Sequence, residues 1–146
     1  MGYNGSMASV FSMIIDGDIP GEFVWKDDRC VAFLSINPLH EGHTLVVPRQ
    51  EVDHWVDLDD DLAAHLFVVA RKIGAVQDEL WDPLRVGLMI VGEEVPHVHL
   101  HVVPIDGVGD LDFSQAAPGP PDDFAQVADR LRTALAAAGH PEATFS

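Results

Sequence analysis

The chain is 146 residues long, which suits one domain; at this size roughly 70% of the unfolded surface is buried, enough for a two-layer fold without staples. Eight Lys and Arg against 24 Asp and Glu give a formal charge of −16, which argues against binding a nucleic-acid backbone, because that depends on clustered cations. A small nucleotide stays open, since a few local donors can hold one phosphate.

The sole cysteine, Cys30, has no internal disulfide partner, which agrees with a reducing cytoplasm. No apolar run reaches the ~20 residues of a membrane span, and the N-terminus lacks a basic region followed by an apolar one, so no secretion signal is expected. Residues 1–8 read as a disordered extension or cloning remnant, with Met7 an alternative start.

Ser9 to Asp16 places Val10, Phe11, Ile14 and Ile15 on one helical face, and Gly17 fits its C-terminal cap. After a turn through Pro20 and Gly21, Glu22 to Lys26 and Cys30 to Ile36 read as strands. Asn37 and Pro38 break the pattern, and His43 to Val47 is a third strand closed by Pro48. Asp57 or Asp59 can cap the next helix, where Leu62, Leu66, Val69, Ala70, Ile73 and Leu80 follow helical spacing. His65 lies beside that stripe and reads as structural. Asp82 and Pro83 end the helix, and Arg85 to Val91 is a fourth strand. Residues 106–121, rich in Gly, Asp and Pro, should be a loop that wraps over the sheet. A last helix, 122–138, has Phe124, Val127, Leu131 and Leu135 on one side. This order predicts an α+β domain over 9–146, an antiparallel sheet of about five strands with helices packed on one face.

The stretch from His97 to Pro104 is the most informative. Histidines at 97, 99 and 101 alternate with Val98, Leu100 and Val102, which on a strand gives one imidazole face and one aliphatic face. Packing alone explains three same-face histidines poorly. Two chemistries compete at this point. The row could hold a metal, with His43 or Glu94 as a further ligand. Alternatively, one imidazole could attack an electrophile while its neighbours bind oxygens and move protons.

The run from His97 to Val103 resembles the His-φ-His-φ-His-φ-φ motif of the histidine triad (HIT) family. Residues 11–20, 32–38 and 42–48 resemble the family's earlier blocks in the same order, so the similarity covers roughly residues 9–104, closest to the Hint-like branch. The resemblance implies a HIT-like fold, a homodimer and a nucleotide hydrolase or transferase without a cofactor. His99 would be the nucleophile that attacks the α-phosphorus of a nucleoside phosphoramidate or related nucleotide. His97, His101 and His43 would orient it and bind phosphate oxygens. Ile36, Phe33, Phe11 and Ile14 would line the base pocket.

The chain also departs from that pattern. The Cys-x-x-Cys pair that many Hint-like proteins use for zinc is Ser9-Val10-Phe11-Ser12, and Glu51 stands where a zinc-associated histidine is usual, so no metal is expected. Nearby His54 reads as a surface residue. Ser35 replaces the Asp or Asn that binds ribose hydroxyls, and Glu93 takes the Gln position four before His97. A carboxylate there repels phosphate unless it is protonated or turned away, so Glu93 or Glu94 is expected to contact an amine leaving group or a water. The tail from Ile105 on does not follow the Hint-like ending. Alternative readings are a dinucleoside polyphosphate hydrolase, a nucleotidyl transferase, or a nucleotide-binding regulatory protein with weak catalysis.

Overall fold

The computed structural model describes residues 8–119 and 121–145 and, for Pro121 and Asp122, the backbone alone. The extension expected at 1–8 lies, Ala8 apart, outside the described residues. Five strands form one antiparallel sheet: β1 (Phe23–Lys26), β2 (Cys30–Leu34), β3 (Thr44–Pro48), β4 (Arg85–Met89) and β5 (Leu100–Ile105), in the order β1-β2-β3-β5-β4. Helices α1 (Val10–Asp16), α2 (Asp60–Trp81) and α3 (Pro121–Ala137) complete the α+β architecture that the sequence predicts. Among the described residues no helix is long and apolar enough to cross a membrane.

Strand alternation decides what faces where. Ala32 and Leu34 of β2, Val46 of β3, and Leu100 and Val102 of β5 join Leu66, Val69, Ile73, Leu131 and Leu135 in a core under α2 and α3. Val31, Phe33, Leu45 and Val47 point the other way, where Phe11 of α1 packs on them. The two long helices therefore share one face, and the short α1 lies over the opposite one.

Local chemistry fixes the helix ends. Ser9 caps α1 through its Oγ, which accepts the Ser12 N–H, and Gly17 closes it at φ +86. Asp59, rather than Asp57, caps α2, accepting the Leu62 N–H at 2.7 Å, and Asp82 ends that helix in the left-handed region. Asp27 ties the β1–β2 turn, accepting from the N–H groups of Arg29 and Cys30 and from Trp25 Nε1, and pairing with His65 Nε2 at 2.8 Å. Burial works to raise the Asp27 carboxyl, yet hydrogen bonds from Trp25, Arg29, Cys30 and His65 outweigh it and hold the group at about 2.

Three strand ends lie two or three residues from the expected ones. β2 stops at Leu34 because the chain bends at Ile36 and Asn37, where Ser35 Oγ accepts the Asn37 N–H. β4 stops at Met89, and β5 begins at Leu100 instead of His97. Pro104 sits inside β5 opposite Val86, past the end of the β3–β5 ladder, where its missing N–H leaves no gap in that ladder. The 106–121 stretch contains short 3-10 turns at Val108–Leu111 and Phe113–Gln115.

The β3–β5 seam is short, pairing Thr44 with Val102, Leu45 with His101 and Val46 with Leu100. Gln77 of α2 reinforces it: its Nε2 donates to the carbonyls of Gly42 and Val102, each at 2.9 Å. Gly42 is required here on two counts. Its φ is +91, and a Cβ would meet the Trp81 ring at 2.7 Å. Gly42→Ala should therefore lower the unfolding free energy by about 2–4 kcal/mol, read as a shift of the urea midpoint with unchanged slope.

Candidate active site

His97 and His99 precede β5, His101 lies on it, and His43 stands just before β3; all four are buried. Upstream of Leu100 the sheet ladder has run out, and the chain is laced instead to residues 48–52. The Val98 N–H donates to the Val52 carbonyl at 2.8 Å, and His97 Nε2 to the Pro48 carbonyl at 2.7 Å.

Burial disfavours the charged form of each ring. It takes His43 down to about 4 and His101 to about 3, with the neighbouring imidazoles adding to the effect. His97 and His99 are lowered by burial too, against partial opposition from the Pro48 carbonyl and Glu51 at His97, and from the His97 carbonyl and Glu94 at His99. At pH 7 each ring is neutral and carries one proton.

The hydrogen bonds place that proton in every ring. A carbonyl only accepts, so His99 Nδ1, 2.7 Å from the His97 oxygen, is the protonated nitrogen and Nε2 is a bare lone pair. The Pro48 carbonyl likewise fixes the His97 proton on Nε2, and His97 Nδ1 accepts from Ser9 Oγ at 2.6 Å. His43 Nδ1 accepts the Leu39 N–H at 3.0 Å, so its Nε2–H donates to His101 Nδ1, also at 3.0 Å. His101 is then protonated on Nε2, and this N–H has no partner among the described residues. The row presents one free lone pair, on His99, beside one unused donor, on His101, with ring centroids 4.8 Å apart.

His43, His99 and His101 line a cavity of about 640 Å³. One wall is apolar: Phe11 stands edge-on to His99 at 4.8 Å and to Phe33 at 5.6 Å, with Ile14 and Leu45 beside them. Ile36, 71% exposed, forms the rim with Ser35. From the other side Phe113 stands edge-on to His101 at 4.9 Å, joined by Ala116 and Phe124. The charged lining groups among the described residues are Glu22 and Glu94, with no Lys or Arg.

Most of the expected site residues thus meet at one cavity. His97 lies behind the lining, and both of its ring nitrogens are engaged. His43 lines the cavity and is likewise engaged at both nitrogens. Glu93 is exposed and off the lining, whereas Glu94 reaches it, because the chain turns sharply after Gly92 at φ +80. Sequence reasoning missed Phe113, Ala116, Phe124 and Glu22. The only available signal was the expectation that the 106–121 loop wraps over the sheet.

A HIT domain family model matches residues 16–108. The chain is 34% identical to an uncharacterized HIT-like protein of Methanocaldococcus jannaschii over 107 residues, covering 70% of this chain and 83% of the relative. It is 36% identical to Protein hit of Bacillus subtilis over 107 residues, covering 69% and 73%. The chain belongs to the HIT family. The crystal structure of a Zn-bound histidine triad family protein from Mycobacterium smegmatis matches it with a TM-score of 0.78 at 30% identity, covering 92% of this chain and 97% of that one.

The side chains of this HIT protein at Ser9, Ser12 and Glu51 do not suit zinc. Zinc favours thiolate and imidazole donors. Here Ser9, Ser12 and Glu51 supply hydroxyls and a carboxylate that bond to one another, and the His97 lone pair is taken by Ser9.

The lowered histidine pKa values make stability pH-dependent in a stated direction. The unfolded chain binds protons near pH 6.5, while the folded rings resist them to about 4 or below. The full contribution is present above pH 6.5 and is lost as pH falls toward the folded values. The urea midpoint of this HIT protein should fall between pH 7 and pH 5, and His43→Gln should flatten that slope.

Proposed function

We propose that this HIT protein is a nucleotide hydrolase or transferase that cleaves nucleoside 5′-phosphoramidates or related nucleotides at the α-phosphorus through His99. The observation that carries the reading is the free Nε2 lone pair of a neutral His99, aimed into the cavity while its Nδ1–H is tied to the His97 carbonyl. Nε2 forms a bond to phosphorus as the bond to the leaving group breaks, and the leaving amine takes up a proton from solvent, which the attacking water returns in the second step. The positive charge that develops on the ring is held by the His97 carbonyl, where a charge-assisted hydrogen bond is stronger than a neutral one. Glu94, whose charge already favours the protonated ring, adds to this. In this reading the His101 Nε2–H, which has no partner among the described residues, donates to a phosphoryl oxygen. Water then attacks the nucleotidyl-histidine, the P–Nε2 bond breaks, and the nucleoside monophosphate leaves. Two easier displacements replace one hard one.

The electrostatics favour amine over polyphosphate leaving groups. A dinucleoside polyphosphate brings several negative charges to a protein of formal charge −16, whose cavity lining offers Glu22 and Glu94 and no cation among the described residues. An amine leaving group suits such a lining. The apolar wall of Phe11, Ile14 and Phe33 would take the base, with Ile36 and Ser35 at the rim. The same reading places the protein in the cytoplasm as a homodimer. Support for pairing comes from β4, which hydrogen-bonds to β5 on one side only and exposes Leu84 and Leu88 nearby.

Rapid mixing of the enzyme with labelled adenosine 5′-phosphoramidate should trap a covalent adduct that is missing from His99→Ala, with kcat reduced at least about 1,000-fold. Nucleotide binding without an adduct in the wild type would instead make the protein a nucleotide sensor. Adenosine phosphoramidate should also be turned over faster than a dinucleoside polyphosphate, and the reverse order would move the reading to polyphosphate hydrolysis.

A further inference from the structure

The stretch that carries His97 and His99 lies beyond the sheet ladder, so something other than strand pairing must hold it. Three lashings do. The Pro48 carbonyl accepts from His97 Nε2, the Val52 carbonyl accepts the Val98 N–H, and Ser9 Oγ donates to His97 Nδ1. The third is itself anchored. Glu51 Oε1 accepts the Ser9 N–H and the Ser12 hydroxyl, each at 2.7 Å, and Ser9 Oγ accepts the Ser12 N–H at 3.0 Å.

Every proton in this group has one consistent place. His97 Nε2–H is committed to a carbonyl, so Nδ1 must accept, so the Ser9 hydroxyl must donate. The Ser9 oxygen is then free to receive the Ser12 N–H, and the Ser12 hydroxyl turns to Glu51. Ser9 and His97 are buried, where a lost partner leaves an orphaned polar group costing about 1–3 kcal/mol.

We propose that Ser9, Ser12 and Glu51 form a metal-free clamp that positions the nucleophile through His97. The link to the reaction is the His97 main chain, whose carbonyl accepts the His99 Nδ1–H and so keeps Nε2 as the lone pair. The clamp also seats α1, which carries Phe11 and Ile14 of the cavity wall. Glu51 is therefore a positioning residue, two bonded groups removed from the reacting atoms. The role of His99 as nucleophile rests on the function proposed above; the clamp's effect on the ring protons does not.

Long-range ¹⁵N–¹H spectra of the imidazoles read those protons directly, whether or not a substrate is turned over. The wild type should show His97 protonated at Nε2 and His99 at Nδ1. Ser9→Gly keeps a residue tolerated at a helix N-cap while removing the hydroxyl, and Glu51→Ala removes the anchor. Both should convert the His99 signals to a mixture of tautomers and lower kcat about tenfold or more, a larger factor than any rise in KM from the loosened α1, since displacement by about 1 Å can cost about 100-fold. Glu51→Gln keeps an acceptor oxygen and should restore both readouts. Wild-type protein passed through a desalting column after excess zinc should retain no stoichiometric metal. Unchanged tautomers and kcat in Ser9→Gly and Glu51→Ala, with only the melting temperature lowered, would overturn the proposal, as would one tightly held zinc per chain. If no nucleotide is turned over but the tautomers mix as stated, the clamp stands and the reaction assigned to His99 falls.

Discussion

Four buried imidazoles are tolerable only if each ring is neutral and has at least one nitrogen held by a chemically sensible partner. That constraint organises the protein. Two rings, His97 and His43, are satisfied at both nitrogens by Ser9, Pro48, Leu39 and His101. The other two are satisfied at one nitrogen only, and the second nitrogen of His101 is buried without a partner among the described residues. Reactivity follows from this asymmetry: the second nitrogen of His99 is basic, and that of His101 is a donor. Neither property belongs to the histidines as residues. Each is imposed by carbonyls and amides that accept or donate in only one sense.

The fold serves the arrangement by putting backbone where ring protons need it. The His97 carbonyl, the Pro48 carbonyl at the end of β3 and the Leu39 N–H all lie at strand ends or in turns, where main-chain groups are not consumed by the ladder. A fully paired strand from His97 onward would have spent those groups on sheet bonds. The brief β3–β5 seam is thus suited to the site, and α2 offsets its weakness with the buried Gln77 amide across Gly42 and Val102.

Much of this was legible in the residues because it depends on local period and caps. Alternation at 97–102 assigns the imidazole face without any tertiary information, and Asp59 and Gly17 announce their helix ends through hydrogen-bonding and backbone properties of their own. Roles within the site were less legible. Whether His43 binds a ligand or braces a neighbour depends on an amide four residues away in a turn, and the choice between Glu93 and Glu94 depends on one left-handed glycine. Phe113 belongs to an irregular stretch where no periodicity says which side chain lands on a given neighbour. Glu51 read as the loss of a metal ligand. Its gain of two hydrogen bonds with serines 39 and 42 positions away becomes visible only when the chain is folded.

Phe113, Ala116 and Phe124 lie past residue 108, where the family match ends, yet they wall the cavity on the His101 side. Their packing is apolar and supplies no hydrogen bond to the ring nitrogens that set the proton pattern. This wall can therefore change in size without altering which nitrogen carries a proton. On this side, the shape of the cavity and the protonation of its rings are set by separate parts of the chain.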